Sequence, residues 1–493
     1  MLGNEVCERA RLARDTRFDG QFFVGVKTTG IYCRPICPAV APKSENVSFY
    51  PSAAAASEAG FRPCLRCRPE CAPGTPAWSG TSTTVRRGLR LIAAGALDDG
   101  DIDQLSDRLG VTSRHLRRLF TKHLGASPLA VAHTQRLHFA KRLIDETSLS
   151  MSHISSAAGY GSIRRFNDTF KKTYGRAPRE LRKLGDESEA SGNKASLSVR
   201  LPYRKPFSWP AMLEFLANRA TPGVESVADN TYRRTISVDG KHGVIVVSSQ
   251  KQSAYLALTL QCIDTSALFE IVQRSREVFD LDAPIGEITI TLKNDKSLKS
   301  LITKSPGIRV PGAWDGFELT VRAILGQQIS VKAATTLAGR IAHRYGEKLM
   351  LSSESNDAGL QRIFPTPERL RRARFSKIGL VKSRANSIRR VAAAVTAGDL
   401  SFDVAQEPET FCKNLTSIKG VGDWTAQYVG MRALKNPDAF PSSDLGLLKA
   451  VDLIEEHTRQ ATPTALLRRA EAWRPWRAYA ALLLWSSLVN SGG

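Results

Sequence analysis

Past residue 71 the chain has little cysteine: only Cys262 and Cys412 remain of eight in 493 residues. A cysteine set crowded into one end points to metal binding or catalysis before disulfides. Long apolar runs are missing too. No stretch approaches the roughly 20 residues of a membrane span. Residues 1–19 are charged and lack the apolar core of a signal peptide. The expectation is a cytoplasmic, nucleoid-associated protein with no membrane partner. There is no fixed-period repeat and no low-complexity tract. Acidic residues are in deficit, 47 against 70 Lys plus Arg, which leaves a formal charge of +23. That balance favours a polyanion as partner.

A chain this long needs about three or four cores. Composition places the borders. Residues 1–78 hold the cysteine cluster with many Pro and Gly. Residues 82–184 are basic and read as short helices. Residues 185–196 carry no apolar pattern and read as a linker. Strand-like runs follow over 197–283, including Thr231 to Val238 and Gly243 to Ser248. From 284 to 493 helical periodicity dominates, as over Leu319 to Ile329 and Ala478 to Leu488. The expected class is multidomain and mainly α, with α+β parts.

Cys33 and Cys37 stand in YCRPIC, and Cys64 and Cys67 in RPCLRC. Two short-spaced pairs joined by a loop suit a tetrahedral zinc ion. Simple buried cysteines are the alternative, and the surrounding Pro and Arg argue against it. Cys71 stands outside the pairing. The runs FFVGVKTTGIYCRPIC and ENVSFYPSAAAASEAGFRPCLRC resemble the N-terminal module of the Ada family over residues 5–72. The resemblance implies that Cys33 is a zinc-bound thiolate that takes a methyl group, irreversibly, from a DNA phosphotriester. A thiolate held by zinc is nucleophilic at neutral pH.

Ile102, Leu105 and Leu109 are helically spaced, Gly110 permits a turn, and Ser113 can cap a second helix. Leu116, Leu119 and Phe120 would face inward, leaving Arg114, His115, Arg117 and Arg118 outside. A second copy, SMSHISSAAGYGSIRRFNDTFKKTYGRAP, turns Phe166 and Phe170 inward and Arg164, Arg165 and Lys171 outward. Two such units resemble the AraC-type DNA-binding domain. The resemblance implies an operator, and RNA polymerase as the partner of an activator.

Gly420 and Gly422 in IKGVGDWTAQYVGMRA allow a tight turn before a helix whose free N–H groups can meet a phosphate. Asp444 follows in FPSSDLGLLKAV. Hairpin then aspartate, with LPYRKPFSWPAMLEFLANRA, VPGAWDGFELTVRAILGQQIS and WRPWRAYAALLLW, resembles AlkA-type 3-methyladenine DNA glycosylase II over residues 200–490. The resemblance implies that Asp444 is the catalytic carboxylate. Alone, an aspartate before an apolar helix would be an N-cap. It further implies a base pocket of Trp424, Tyr428, Trp485, Phe215 and Gln327, whose aromatic rings could stack on a flipped cationic base. Gln328 matches a position that wedges into the duplex.

The O6-methylguanine acceptor motif P-C-H-R is absent. No cysteine follows Cys412, so the iron–sulfur cluster of some glycosylases cannot form. No cofactor is expected for the glycosylase. Trp424 occupies the place where bifunctional relatives carry a lysine nucleophile, which implies hydrolysis without strand cleavage. The competing expectation is a regulator whose C-terminal half only holds DNA.

Overall fold

The computed structural model describes residues 2–73, 83–98, 101–182, 196–250, 253–261, 265–349, 359–403, 406–455 and 461–490. The chain forms two compact units, one of residues 1–205, 250–274 and 281–284, the other of 206–249, 275–280 and 285–493.

In the first unit, the cysteine-rich end is a small four-stranded sheet. Phe23–Val26 pairs antiparallel with Val47–Tyr50 on one side and with Ile31–Cys33 on the other, and Arg62–Pro63 joins Ile31–Cys33 in parallel. The helix Ala53–Glu58 presents four buried alanines, and the Ser52 hydroxyl accepts from the Ala55 N–H at its start. Such a stripe of small side chains lets the helix lie close to its neighbours.

The basic segment is a double helix-turn-helix. Ile102–Leu109 ends on Gly110 at φ +69°, a left-handed position that suits glycine. Ser113–Leu124 follows, but its cap is Thr112, whose hydroxyl accepts from the His115 N–H at 3.3 Å. Ser113 is thus the first helical residue. A residue with extended φ and ψ is needed to cap, and Thr112 has it. The second unit is Met151–Ala157 and Ile163–Tyr174, capped by Ser162. The helix Pro128–Glu146 joins the two. Leu116, Phe120, Phe166 and Phe170 are fully buried, and Arg114, Arg117, Arg164 and Arg165 are exposed.

The expected linker lies outside the described residues except for Ser196, which opens the strand Ser196–Pro202. That strand pairs antiparallel with Tyr255–Gln261 in the same unit.

In the second unit, Glu225–Ala228, Thr231–Val238 and Lys241–Ser249 form an antiparallel meander. Asp229 with Asn230, and Asp239 with Gly240, supply consecutive positive φ angles at its two tight turns. Below it a buried ion cluster forms. Glu225 and Glu318 each meet both Arg234 and Arg322, at 2.5 to 3.4 Å. Burial works against the Glu225 charge, but Arg322 and Arg234 outweigh it and hold its carboxyl below its ordinary value.

The helical core packs Gly316–Leu325, Val331–Tyr345, Lys382–Ala397, Pro408–Thr416 and Asp423–Arg432 around one apolar cluster. The periodicity seen through Ile329 stops being helical at Leu325. Gln328 stands at φ +56° and breaks the run before Val331 starts the next helix. Among the described residues no helix is long and apolar enough to cross a membrane.

Candidate functional site

Two sites emerge, one in each unit. In the first, the strand Ile31–Cys33 and the turn after it carry Cys33 and Cys37, while Cys64 and Cys67 flank the turn after Arg62–Pro63. The four sulfurs lie within 4.8 Å of one another. A tetrahedral zinc ion with sulfurs at about 2.3 Å sets them roughly 3.8 Å apart, so the donor set fits that ion. The Arg34 N–H donates to the Cys67 sulfur at 3.3 Å, and its guanidinium pairs with the buried Asp19 carboxylate and the Cys67 carbonyl. The pairs differ in access: Cys64 and Cys67 are buried, Cys33 and Cys37 half-buried. Cys71 lies outside the cluster, and burial pushes its thiol up to about 11.

This sheet also packs on the double helix-turn-helix of its own unit. Tyr32, beside Cys33, shares a hydrogen bond of 2.8 Å with His138 on the helix Pro128–Glu146. Arg68 pairs with Asp145 at 2.7 Å, and Lys141 with Glu70 at 3.8 Å. The Ser52 hydroxyl donates to the Leu124 carbonyl, and Glu58 accepts from Ser127. None of these partners was foreseen, because each joins residues 50 or more positions apart that follow no local pattern.

In the second unit the hairpin lies between Pro408–Thr416 and Asp423–Arg432. Gly420 has φ +95°, and a Cβ there would stand 2.0 Å from the Ser387 hydroxyl. Gly422 needs no such freedom. It is extended, with open space where a Cβ would be, and its helix start has no side-chain cap. Those N–H groups are available to an anion. The Gln327 amide donates to the Gly420 carbonyl at 3.3 Å and to the Thr425 hydroxyl at 3.1 Å. Gln327 thus ties the Gln328 turn to the hairpin. Gln328 itself is exposed at a strained φ.

Asp444 faces this hairpin helix. Its Oδ2 accepts from the Trp424 indole at 2.7 Å, and its Oδ1 from the Trp485 indole at 2.9 Å. Oδ1 also accepts from the Leu447 N–H at 2.9 Å, so Asp444 caps the helix Leu445–Glu455 as well. The helix cap and the carboxylate that takes both indole N–H groups are one residue. Trp424 stacks on Tyr428 with centroids 5.3 Å apart and planes 8° from parallel, and Trp485 meets Tyr428 edge-on at 6.3 Å. Trp424, Tyr428, Trp485, Phe215 and Asp444 are all half-buried. Two residues of this site escaped the sequence reading. Gly446 lets the carboxylate sit where it does, since a Cβ there would stand 2.9 Å from Asp444 Oδ1. Arg432 is buried against Phe215 and Tyr428.

Four family models match in order: the metal binding domain of Ada at residues 6–70, a helix-turn-helix domain at 105–184, the AlkA N-terminal domain at 198–315, and the HhH-GPD superfamily of base excision DNA repair proteins at 321–477. A protein of Mycobacterium tuberculosis named "Probable bifunctional transcriptional activator/DNA repair enzyme AlkA" is 39% identical over 488 residues, 99% of this chain and 97% of that one. The chain belongs to that bifunctional AlkA family. It joins an Ada-type zinc module and a helix-turn-helix domain to a helix-hairpin-helix glycosylase domain. Over its glycosylase half, this AlkA-family chain is also 33% identical to DNA-3-methyladenine glycosylase 2 of Escherichia coli, across 58% of this chain and 95% of that one. The fold of 3-methyladenine DNA glycosylase from Archaeoglobus fulgidus matches 59% of this chain and 97% of that one with a TM-score of 0.51 at 23% identity.

Proposed function

We propose that the chain excises alkylated bases, 3-methyladenine among them, by hydrolysing their N-glycosidic bond, and that its other half takes a methyl group from DNA phosphotriesters and activates transcription. The observation that carries the first part is the Asp444 carboxylate held by two indole N–H groups, beside the Trp424, Tyr428 and Trp485 rings and the turn at Gly420 and Gly422. A flipped base fits between electron-rich rings, and the carboxylate opposes the positive charge that grows on the sugar as the bond to the base breaks. Gln328, exposed and pre-set at positive φ, suits the space the base leaves. Trp424 in place of a lysine, and Lys419 exposed before the hairpin, favour hydrolysis without strand cleavage.

In the other half, zinc when bound supplies a thiolate at neutral pH. Cys33 and Cys37 are the half-buried pair, and the family resemblance favours Cys33 as the acceptor. Its sulfur bonds to the methyl carbon, the carbon–oxygen bond breaks, and the phosphodiester leaves as an anion. Arg114, Arg117, Arg164 and Arg165, exposed on the second helix of each unit, suit operator DNA. RNA polymerase is the partner an activator requires.

The test is to incubate the full chain with methylated DNA and identify the bases released, with borohydride present in a parallel reaction. Free 3-methyladenine, an intact abasic site and no protein–DNA cross-link are expected. No released base leaves only a DNA-holding regulator, and a cross-link lost in Lys419→Ala assigns a lyase.

A further inference from the structure

The second helices of the two helix-turn-helix units are copies in register. Ser113–Leu124 and Ile163–Tyr174 each run 12 residues. A hydroxyl caps each start: Thr112 accepts from the His115 N–H at 3.3 Å, and Ser162 from the Arg165 N–H at 3.2 Å. A left-handed glycine ends each, Gly125 at φ +67° and Gly175 at φ +68°. The same positions are buried, Leu116, Phe120 and Leu124 in one and Phe166, Phe170 and Tyr174 in the other. Equal caps and equal buried faces make the outward faces comparable position by position.

Those outward faces are not copies. Both helices carry an exposed arginine at the second position, Arg114 and Arg164. At the fifth, the exposed Arg117 of the first helix gives way to the exposed Asn167 of the second. At the first, the half-buried Ser113 gives way to Ile163, which is 45% exposed. The side chains of Arg114, Arg117 and Asn167 make no hydrogen bond or ion pair among the described residues. Arg118, by contrast, is held by the His115 ring at 3.0 Å. Ile163 and Asn167 lie one helical turn apart and so share one strip of surface. An isoleucine left open beside charged neighbours gains from burial only when a partner covers it.

The base edges of the major groove answer these differences. Guanine offers two acceptors side by side, adenine an acceptor beside a donor, and thymine a methyl group. An arginine fork, which only donates, matches guanine, and an asparagine amide, which donates and accepts, matches adenine. The first turns of such a helix are the part that reaches base edges.

We propose that the two helices read different bases. Ser113–Leu124 reads guanine through Arg117, and Ile163–Tyr174 reads adenine through Asn167, with Ile163 against the methyl group of a neighbouring thymine. The operator is therefore asymmetric, with one segment centred on G·C and one on A·T, and one chain binds it in a single orientation. Arg114 and Arg164, common to both helices, hold phosphates. The inference rests on the operator reading above.

The full chain, first exposed to methylated DNA, selects from a pool of duplexes of random sequence, and the retained sequences are read. Sequence-independent binding by the other half adds only an even background. Wild type enriches one segment with a fixed G·C pair and one with an A·T pair beside a thymine. Arg117→Ala lowers the preference for that G·C pair about ten-fold and spares the A·T segment, and Asn167→Ala does the reverse. Asn167→Arg turns the preference of the second segment from adenine to guanine, a gain that lost folding cannot mimic. Uracil in place of the thymine removes only the methyl group, which weakens wild type several-fold and leaves Ile163→Ser unchanged. Equal weakening on all sequences in Arg117→Ala and Asn167→Ala makes both phosphate contacts and overturns the proposal, as do two segments of like composition or a wild type indifferent to the methyl group. A wild type that enriches no sequence overturns the operator reading itself.

Discussion

Asp444 serves two ends with one side chain, as the cap of a helix and as the acceptor of the Trp424 and Trp485 indole N–H groups. Its position is set by Gly446 as much as by its hydrogen bonds. In Gly446→Ala the new Cβ would come 2.9 Å from Asp444 Oδ1 and 3.4 Å from the Trp485 ring. The carboxylate can yield only by loosening its bonds to Trp485 and Leu447. We expect base release to fall about ten-fold or more, since small misplacements of a catalytic group are costly, with affinity for undamaged DNA unchanged. Full activity in this variant would contradict the placement. At this scale the sequence was legible where a residue type and a spacing recur together, as for the four cysteines that the fold gathers within 4.8 Å of one another. Gly446 and Arg432 were not legible. Their importance comes from what packs against them, and a glycine in a first helical turn or an arginine at a helix end is unremarkable by itself.

Among the elements, the hairpin separates two glycines that look alike in sequence. Gly420 needs its positive φ and the space beside Ser387, and Gly422 needs neither to fold. Gly420→Ala should therefore lower stability by about 1–3 kcal/mol. Gly422→Ala should change it by less than about 0.5 kcal/mol, yet weaken DNA binding several-fold, because its Cβ would enter the space a phosphate takes at that helix start. Thermal unfolding and binding to random DNA measure both. Equal stability losses would refute the distinction. Apolar periodicity and turn glycines made most elements readable. Boundaries were less so. Thr112 and Ser113 are equally good caps by residue type, and only backbone geometry selects Thr112. Ile329 keeps the apolar period after the helix has ended at Leu325. Ser196 looks like linker until its pairing with Gln261 makes it strand.

For the whole molecule, the order of modules was readable because each carries a local signature. The packing of the zinc sheet on the double helix-turn-helix was not, since Tyr32 with His138 and Arg68 with Asp145 are distant in sequence. That packing joins the Ada-type zinc module to the helix-turn-helix domain within one compact unit. Four thiolates around a divalent ion carry a charge of −2, and methylation of one leaves −1. Methylated protein should bind operator DNA more tightly, with a gain that shrinks as salt rises. Cys33→Ser should show no gain, and a gain independent of salt would rule out a charge switch. The glycosylase claim stands most directly on one comparison, release of 3-methyladenine from methylated DNA by the wild-type chain and by Asp444→Asn. An asparagine amide keeps the shape, loses the charge that opposes the sugar cation, and cannot accept all three N–H groups. The account predicts release by wild type and none by Asp444→Asn, with DNA affinity and Cys33 methylation the same in both. Release persisting in Asp444→Asn would contradict it.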